Sequence, residues 1–197
     1  ERAIREIINK YEGSIYIASN SSKPGKIEHV SGPAKLFFGT DTEKDSSKGL
    51  AIAKILKDAG IDATFTTAIT SILWKKFMFV SPAAIVTALF QITFSEILEN
   101  TKSEYLFIHL ISELMQLATA KNILIEDNTV LSNIQLLGNF KGNVKSSFQL
   151  DLEKKKPTEI HALVKYVLEE AKLHQVPTPH FENAFLQLQK EYTTLQN

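Results

Sequence analysis

The sequence lacks cysteine altogether and has little glycine or proline, with 8 and 6 of these among its 197 residues. The absence of cysteine excludes disulfides, thiolate metal ligands and cysteine nucleophiles, and it fits a reducing compartment, so we expect a cytoplasmic protein. The 22 basic and 22 acidic residues cancel, and neither half of the chain is a basic arm or an acidic tail. Nucleic acid and anionic membranes are therefore not expected as partners.

Long hydrophobic runs and several familiar catalytic motifs are absent too. The apolar stretch at residues 77–89 is interrupted by Ser81, Pro82 and Thr87, and it is shorter than the roughly 20 residues that a membrane span needs. The patterns G-x-S-x-G, H-E-x-x-H and G-x-x-x-x-G-K-[ST] do not occur, so hydrolase and P-loop functions have no support. The histidines have no metal-ligand spacing, His174 and His180 included, and no metal site is predicted.

The first third of the chain has the pattern of an α/β domain. Helical spacing over residues 3–8, ending before Gly13, precedes predicted strands at residues 14–19, 26–30 and 34–39. Turn residues at 21–25 and 31–33 separate these strands. A helix capped by Ser46 or Ser47 and ending at Gly60, then a strand over residues 61–67, complete the pattern. We expect residues 1–68 to be the later part of a Rossmann-like sheet domain.

From residue 69 onward, long apolar runs with helical spacing dominate, which predicts an all-helical domain of residues 69–197. Helices are predicted over residues 72–98, 103–121, 129–137, 158–174 and 181–195. Pro82 cannot donate to the carbonyl of Met78, so a kink or break is expected there. The expected fold class is therefore α+β.

One candidate site is Lys76, in the sequence Trp74-Lys75-Lys76-Phe77. In a helix, Lys76, Val80 and Ala84 form one column, which places the lysine at the edge of an apolar stripe. Such a lysine usually covers apolar surface with its stem and keeps its ammonium in water. The alternative is a general acid in a cleft that gives a proton to a developing alkoxide.

A second candidate site surrounds two adjacent serines. Ser147 and Asp151 share a face if their segment is helical, and Glu159 begins the helix that follows the basic run at residues 154–156. Glu159 could serve simply as a first-turn carboxylate that interacts with the helix dipole, with the lysines in a solvated turn. A binding role is the other possibility.

Taken in order, these segments resemble the ketopantoate reductase (2-dehydropantoate 2-reductase) family. The family motif W-x-K-[FL], with T-A further on, is matched by Trp74, Lys76, Phe77, Thr87 and Ala88. Its S-S-M-x-Q-D, followed by T-E-I, is matched by Ser146, Ser147, Asp151, Thr158, Glu159 and Ile160. Residues 175–179 approximate its G-[IV]-x-[TV]-P, and residues 24–39 resemble the strand pair that ends its Rossmann domain. The resemblance spans nearly the whole chain.

The resemblance implies an N-terminal Rossmann domain and a helical C-terminal domain of the 6-phosphogluconate dehydrogenase C-terminal-like type. It implies that Lys76 protonates the carbonyl oxygen of a 2-oxo acid while NADPH delivers hydride to the carbon. Ser147 would hold the substrate, and Glu159 would bind in the cleft that takes cofactor and substrate. A homodimer is the expected assembly.

The chain departs from the family pattern at four asparagine positions and at the cofactor loop. The asparagines are replaced by Val80, Ala84, Phe94 and Val144, which favours a more apolar 2-oxo substrate or weakened activity. No G-x-G-x-x-G occurs, so we expect a fragment, inactive alone, of an NADP-dependent reductase. The alternatives are a catalytically decayed binding or dimerisation module and another hydroxy-acid or opine-type dehydrogenase of the superfamily.

Overall fold

A computed structural model describes residues 11–43, 45–140 and 142–196. The chain divides into two compact units, Glu1–Leu73 and Trp74–Asn197. The predicted helix over residues 3–8 lies outside the described residues. The mixed sheet and the many helices confirm the expected α+β class.

In its described part, residues 11–43 and 45–73, the first unit contains a three-stranded sheet and one complete helix. Strands β1 (Glu12–Lys23) and β2 (Lys26–Gly39) pair antiparallel, helix α1 (Ser46–Asp58) follows, and β3 (Asp62–Thr66) pairs parallel to β2. The segment from β2 through α1 to β3 is thus a βαβ unit, as the α/β pattern predicted.

Two glycines permit the close packing of this unit. A Cβ on Gly39 would lie 1.8 Å from the carbonyl oxygen of Thr66, and one on Gly49 would lie 2.2 Å from the Phe65 ring. The small core that results is centred on Phe38, Ala53 and Ala63. Because Gly49 brings α1 against the sheet, the helix covers this apolar face at short range.

The predicted turn at residues 31–33 is wrong, because β2 runs through it. Tyr16 pairs with Lys35 whereas Ala18 pairs with Ser31, so the intervening residues of β2 form a bulge. Pro33 has no amide to offer the ladder, and Ala34 has a φ of 39°. The turn-forming residues therefore bend a continuous strand instead of ending it.

The start of α1 also differs from the prediction. Asp45 is the N-cap, with a φ of 67°, and no side chain caps the helix. The hydroxyl of Ser46 instead donates to the carbonyl of Glu43 at 2.8 Å, and Ser47 is exposed. Neither serine is the cap that the sequence suggested. The helix ends just before Gly60, whose φ is 82°.

The second unit consists of helices around one large apolar core. They are α2 (Ile69–Phe90), which begins in the first unit, α3 (Thr101–Ala120), α4 (Thr129–Gly138), α5 (Ser147–Glu153), α6 (Tyr166–His174) and α7 (Pro179–Gln196). A 3-10 helix covers Ser95–Glu99 and a π-helix covers His161–Lys165. The core includes the fully buried side chains of Met78, Phe107, Leu114, Phe148 and Phe181.

Helix α2 passes through the middle of this core. It has the length and composition of a membrane-spanning helix, but 61% of its most apolar window is buried inside the fold, as in a core helix. It continues through Pro82 without a break. The side-chain amide of Asn133 in α4 donates to the carbonyl of Met78 at 3.1 Å, which replaces the donor that Pro82 lacks.

Candidate active site

Helix α2 holds Lys76 between two anchored aromatic side chains. Trp74 is buried, and its ring lies edge-to-face with that of Phe77 at 6.0 Å between centroids. Phe77 packs against the core and also meets the ring of Tyr166 at 6.1 Å. Lys76 itself is half-buried. The core therefore fixes the backbone at this position, while the long lysine side chain keeps access to solvent.

The hydroxyl of Tyr166 lies in a partly buried environment beside this turn. Burial raises the pKa of Tyr166 above its ordinary value, and the charges of Lys121 and Glu170 act in opposite directions on it. Lys121 and Glu170 form an ion pair with each other. Tyr166 is thus neutral and able to donate at physiological pH.

The neighbouring lysine has a different role. Lys75 is exposed, and its Nζ lies 2.5 Å from Oε1 of Glu126 in an ion pair on the surface. The two adjacent lysines therefore differ in exposure, since Lys75 is exposed and Lys76 is half-buried.

The two adjacent serines have separate functions at the start of α5. Ser146 is buried and is the N-cap, because its Oγ accepts from the backbone amide of Gln149 at 3.1 Å. Its Oγ also lies 2.9 Å from Oγ1 of Thr87 in α2. Ser147, one position later, is exposed. The first serine fixes the segment, and the second is the one available to a ligand.

Glu159 lies just before the π-helix and is exposed. Its backbone carbonyl accepts from the amide of Leu163 at 2.9 Å. The carbonyl of Leu163 in turn accepts from Oγ of Ser81 in α2 at 2.6 Å. The predicted helix over residues 158–174 is continuous from residue 160 to residue 174, and it contains a wider π-turn at His161–Lys165. The lysines at 154–156 are exposed, as expected of a surface turn.

The four positions that replace asparagine fall into two pairs. Ala84 is buried, and Phe94 packs in a ring cluster with Phe140 at 4.9 Å between centroids. Val80 and Val144, by contrast, are 37% and 39% exposed. Two of the substitutions therefore belong to the core, and the other two place apolar surface in contact with solvent.

His180 lies at the start of α7. The buried carboxylate of Glu113 accepts from the backbone amides of His180 and Phe181 at 2.8 and 3.1 Å, which caps the start of α7. Its Oε1 also lies 2.7 Å from Nδ1 of His180. Among residues 11–43, 45–140 and 142–196, no group of three or more potential ligand side chains could hold a metal ion.

The sequence contains a signal for the two buried hydroxyls of α2. Ser81 and Thr87 interrupt an apolar run inside a long helix, and buried hydroxyls in such a place need partners. Asn133 carries no such signal, because its partner is a carbonyl left free by a proline far away in sequence.

The described residues fit only part of a nicotinamide cofactor. The glycines with positive φ in this part of the chain are Gly25 in the hairpin turn, Gly60 after α1 and Gly142 before α5. None forms the glycine-rich strand-to-helix turn that holds a pyrophosphate. The segments with Lys76, Ser147 and Glu159 present an ammonium, a hydroxyl and a carboxylate, with Lys76 half-buried and the other two residues exposed.

A sequence profile described as "Ketopantoate reductase PanE/ApbA C terminal" matches residues 68–191, which is most of the chain. The chain belongs to the ketopantoate reductase family. The match covers α2 and the later helices as far as residue 191 in α7, including the segments with Lys76, Ser147 and Glu159.

Individual members of the ketopantoate reductase family and related proteins match most of this chain. The uncharacterized oxidoreductase YkpB of Bacillus subtilis (strain 168) is 23% identical over 177 residues, which cover 90% of this chain and 58% of YkpB. The ketopantoate reductase from Ralstonia eutropha JMP134 has a TM-score of 0.84 at 18% identity, covering 95% of this chain and 60% of that protein.

A D-mandelate dehydrogenase structure with NADH and anilino(oxo)acetate has a TM-score of 0.81 at 17% identity, covering 95% of this chain and 61% of that protein. The TM-scores of the two solved structures show that this chain shares their fold. The chain spans about 60% of the length of the proteins that it matches.

Proposed function

We propose that the protein to which this chain belongs is a cytoplasmic reductase that converts a 2-oxo acid to the 2-hydroxy acid. Membership in the ketopantoate reductase family supports an oxidoreductase. The observation that carries the proposal is the exposure of the motif residues: Ser147 and Glu159 are exposed and Lys76 is half-buried. Their neighbours Trp74 and Ser146 are buried.

In this reaction, reduced nicotinamide supplies a hydride to the carbonyl carbon of the substrate. Lys76 gives a proton from its ammonium group to the carbonyl oxygen, and the neutral amine then recovers a proton from solvent. Ser147 donates a hydrogen bond to the substrate, and Glu159 binds at the cofactor side. NADPH is the form that the family resemblance implies, and NADH is the alternative, as in the D-mandelate dehydrogenase structure.

The substrate has an apolar side chain in this proposal. Val80 lies one turn after Lys76 on α2, about 6 Å along the helix axis, and Val144 precedes the serine pair. Both expose apolar surface, at 37% and 39%, where an amide would hydrogen-bond to a hydroxyl of the substrate. The D-mandelate dehydrogenase structure contains anilino(oxo)acetate, so the fold in that protein accepts an aromatic 2-oxo carboxylate.

The test is turnover by the full-length protein. We expect oxidation of NADPH, followed by its absorbance, with at least one of pyruvate, 3-methyl-2-oxobutanoate, phenylpyruvate, phenylglyoxylate and 2-dehydropantoate. NADH is assayed in parallel to decide the cofactor. Absence of turnover with every acid, together with no binding of either cofactor, would contradict the proposal and favour a catalytically decayed binding module.

A further inference from the structure

Two fully buried hydroxyl groups on α2 form hydrogen bonds with the segments that carry Ser147 and Glu159. Both Ser81 and Thr87 have no exposed surface. Ser81 Oγ donates to the carbonyl of Leu163 at 2.6 Å, and Thr87 Oγ1 lies 2.9 Å from Oγ of Ser146. A buried hydroxyl without a hydrogen bond lowers the stability of the fold. These two hydroxyls therefore favour the positions of the partner segments in which their hydrogen bonds form.

Ser81 and Thr87 lie on different faces of α2. Successive residues of an α-helix are rotated by about 100° around its axis, so the directions of Thr87 and Lys76 differ by only about 20°. Both residues therefore lie on the same face of α2. Ser81 lies about 120° away from Thr87 around the axis by the same geometry. One helix therefore holds two separate segments while it carries the lysine.

The hydroxyl of Ser146 joins α2 to the first turn of α5. Its Oγ accepts from the amide of Gln149 at 3.1 Å and lies 2.9 Å from Oγ1 of Thr87. Oγ1 of Thr87 also lies 3.2 Å from the carbonyl of Ala84 in its own helix. Thr87 therefore holds the N-cap residue of α5, and that residue fixes the backbone from which Ser147 projects.

Ser81 acts on the other segment through the π-helix. The carbonyl of Leu163 is its acceptor, and the amide of Leu163 donates to the carbonyl of Glu159 at 2.9 Å. A wide π-turn is less regular than an α-turn, so an external donor helps to define its position. The link from α2 therefore reaches Glu159 through one intermediate residue.

We propose that Ser81 and Thr87 are positioning residues of the active site. Thr87 sets Ser147 through Ser146, and Ser81 sets Glu159 through Leu163, both with respect to Lys76 on the same helix. This inference rests on the proposed function, because that proposal gives Ser147 and Glu159 their roles. A role confined to general stability would affect both segments alike, whereas positioning requires each hydroxyl to control its own segment.

The test compares Thr87→Val and Ser81→Ala in the full-length protein by amide hydrogen exchange and by steady-state kinetics. Thr87→Val is expected to speed exchange in residues 144–153 and to raise KM for the 2-oxo acid about fivefold, with less change in kcat or in KM for the cofactor. Ser81→Ala is expected to speed exchange in residues 158–165 and to raise KM for the cofactor instead.

Two further variants serve as controls. Thr87→Ser keeps the hydroxyl and is expected to restore both readouts. Ser112→Ala removes a hydroxyl that donates to the carbonyl of Ile108 in its own helix at 2.9 Å, and it is expected to change neither readout.

Equal exchange changes in both segments, or none in either, would overturn the inference. So would failure of Thr87→Ser to restore the KM of an active protein. If the unmodified protein turns over no 2-oxo acid, the proposed function fails, and the segment-specific exchange pattern alone decides whether the hydroxyls position these segments.

Discussion

At the scale of single residues, Val80 and Val144 are the basis for proposing an apolar substrate. An asparagine offers both a donor and an acceptor, and a site built on such amides rejects a substrate that leaves them unpaired. Valine offers only apolar surface, and here that surface is accessible on both residues. A polar substrate side chain would lose its water without gaining a partner.

Val80→Asn is expected to shift preference toward a hydroxylated substrate. The informative pair is 2-dehydropantoate and 3,3-dimethyl-2-oxopentanoate, which differ by a hydroxyl in place of a methyl group. One new hydrogen bond contributes about 1 kcal/mol, so the ratio of kcat/KM should move toward 2-dehydropantoate by about 3- to 10-fold. Leu124→Asn, at a residue 84% exposed in another part of the second unit, is the control. An unchanged ratio in Val80→Asn would show that the substrate side chain does not lie against α2.

At the scale of elements, α2 depends on a donor from outside the helix. Proline removes the amide that would bond to the carbonyl of Met78, and the amide of Asn133 takes its place at 3.1 Å. Asn133 is 7% exposed, so this bond is shielded from water. The helix that carries Lys76 is therefore tied to α4 at its proline.

Asn133→Ala is expected to lower the free energy of unfolding by about 1–3 kcal/mol, because a buried carbonyl loses its donor. In a Pro82→Ala background the helix supplies its own amide to Met78, so the same change should cost about 1 kcal/mol less. Urea unfolding of the four proteins measures this coupling. Equal costs in both backgrounds would mean that Asn133 does not compensate for the proline.

The elements that the sequence predicted well are those governed by local pattern. Periodicity located α3, α4, α7 and β3 to within a few residues. The prediction failed where a contact with a distant residue overrides the local preference. Asn133 allows α2 to continue through Pro82, and pairing with β1 allows β2 to continue through its bulge. The prediction also missed the π-turn after Glu159, because residues 163, 164 and 167 remain buried on one stripe in either geometry.

At the scale of the whole molecule, the fold class and the family followed from ordered motifs, whereas the arrangement of the site did not. The sequence selected Lys76, Ser147 and Glu159, and their roles stay predictions. The sequence could not show that Ser146 is the helix cap whereas Ser147 is exposed. It also could not show that α2 contacts both segments, because the two hydrogen bonds join residues that are 82 and 59 positions apart and leave no local pattern.

Whether Lys76 donates the proton during hydride transfer can be measured by the single-turnover reduction rate of Lys76→Ala beside that of Lys75→Ala. Both variants remove one positive charge from the same turn of α2, but Lys75 is paired with Glu126 on the surface. We expect Lys76→Ala to lose about 100-fold or more in rate, with Lys75→Ala close to the unmodified protein. A Lys76→Ala protein that reduces the 2-oxo acid at the unmodified rate would contradict the account.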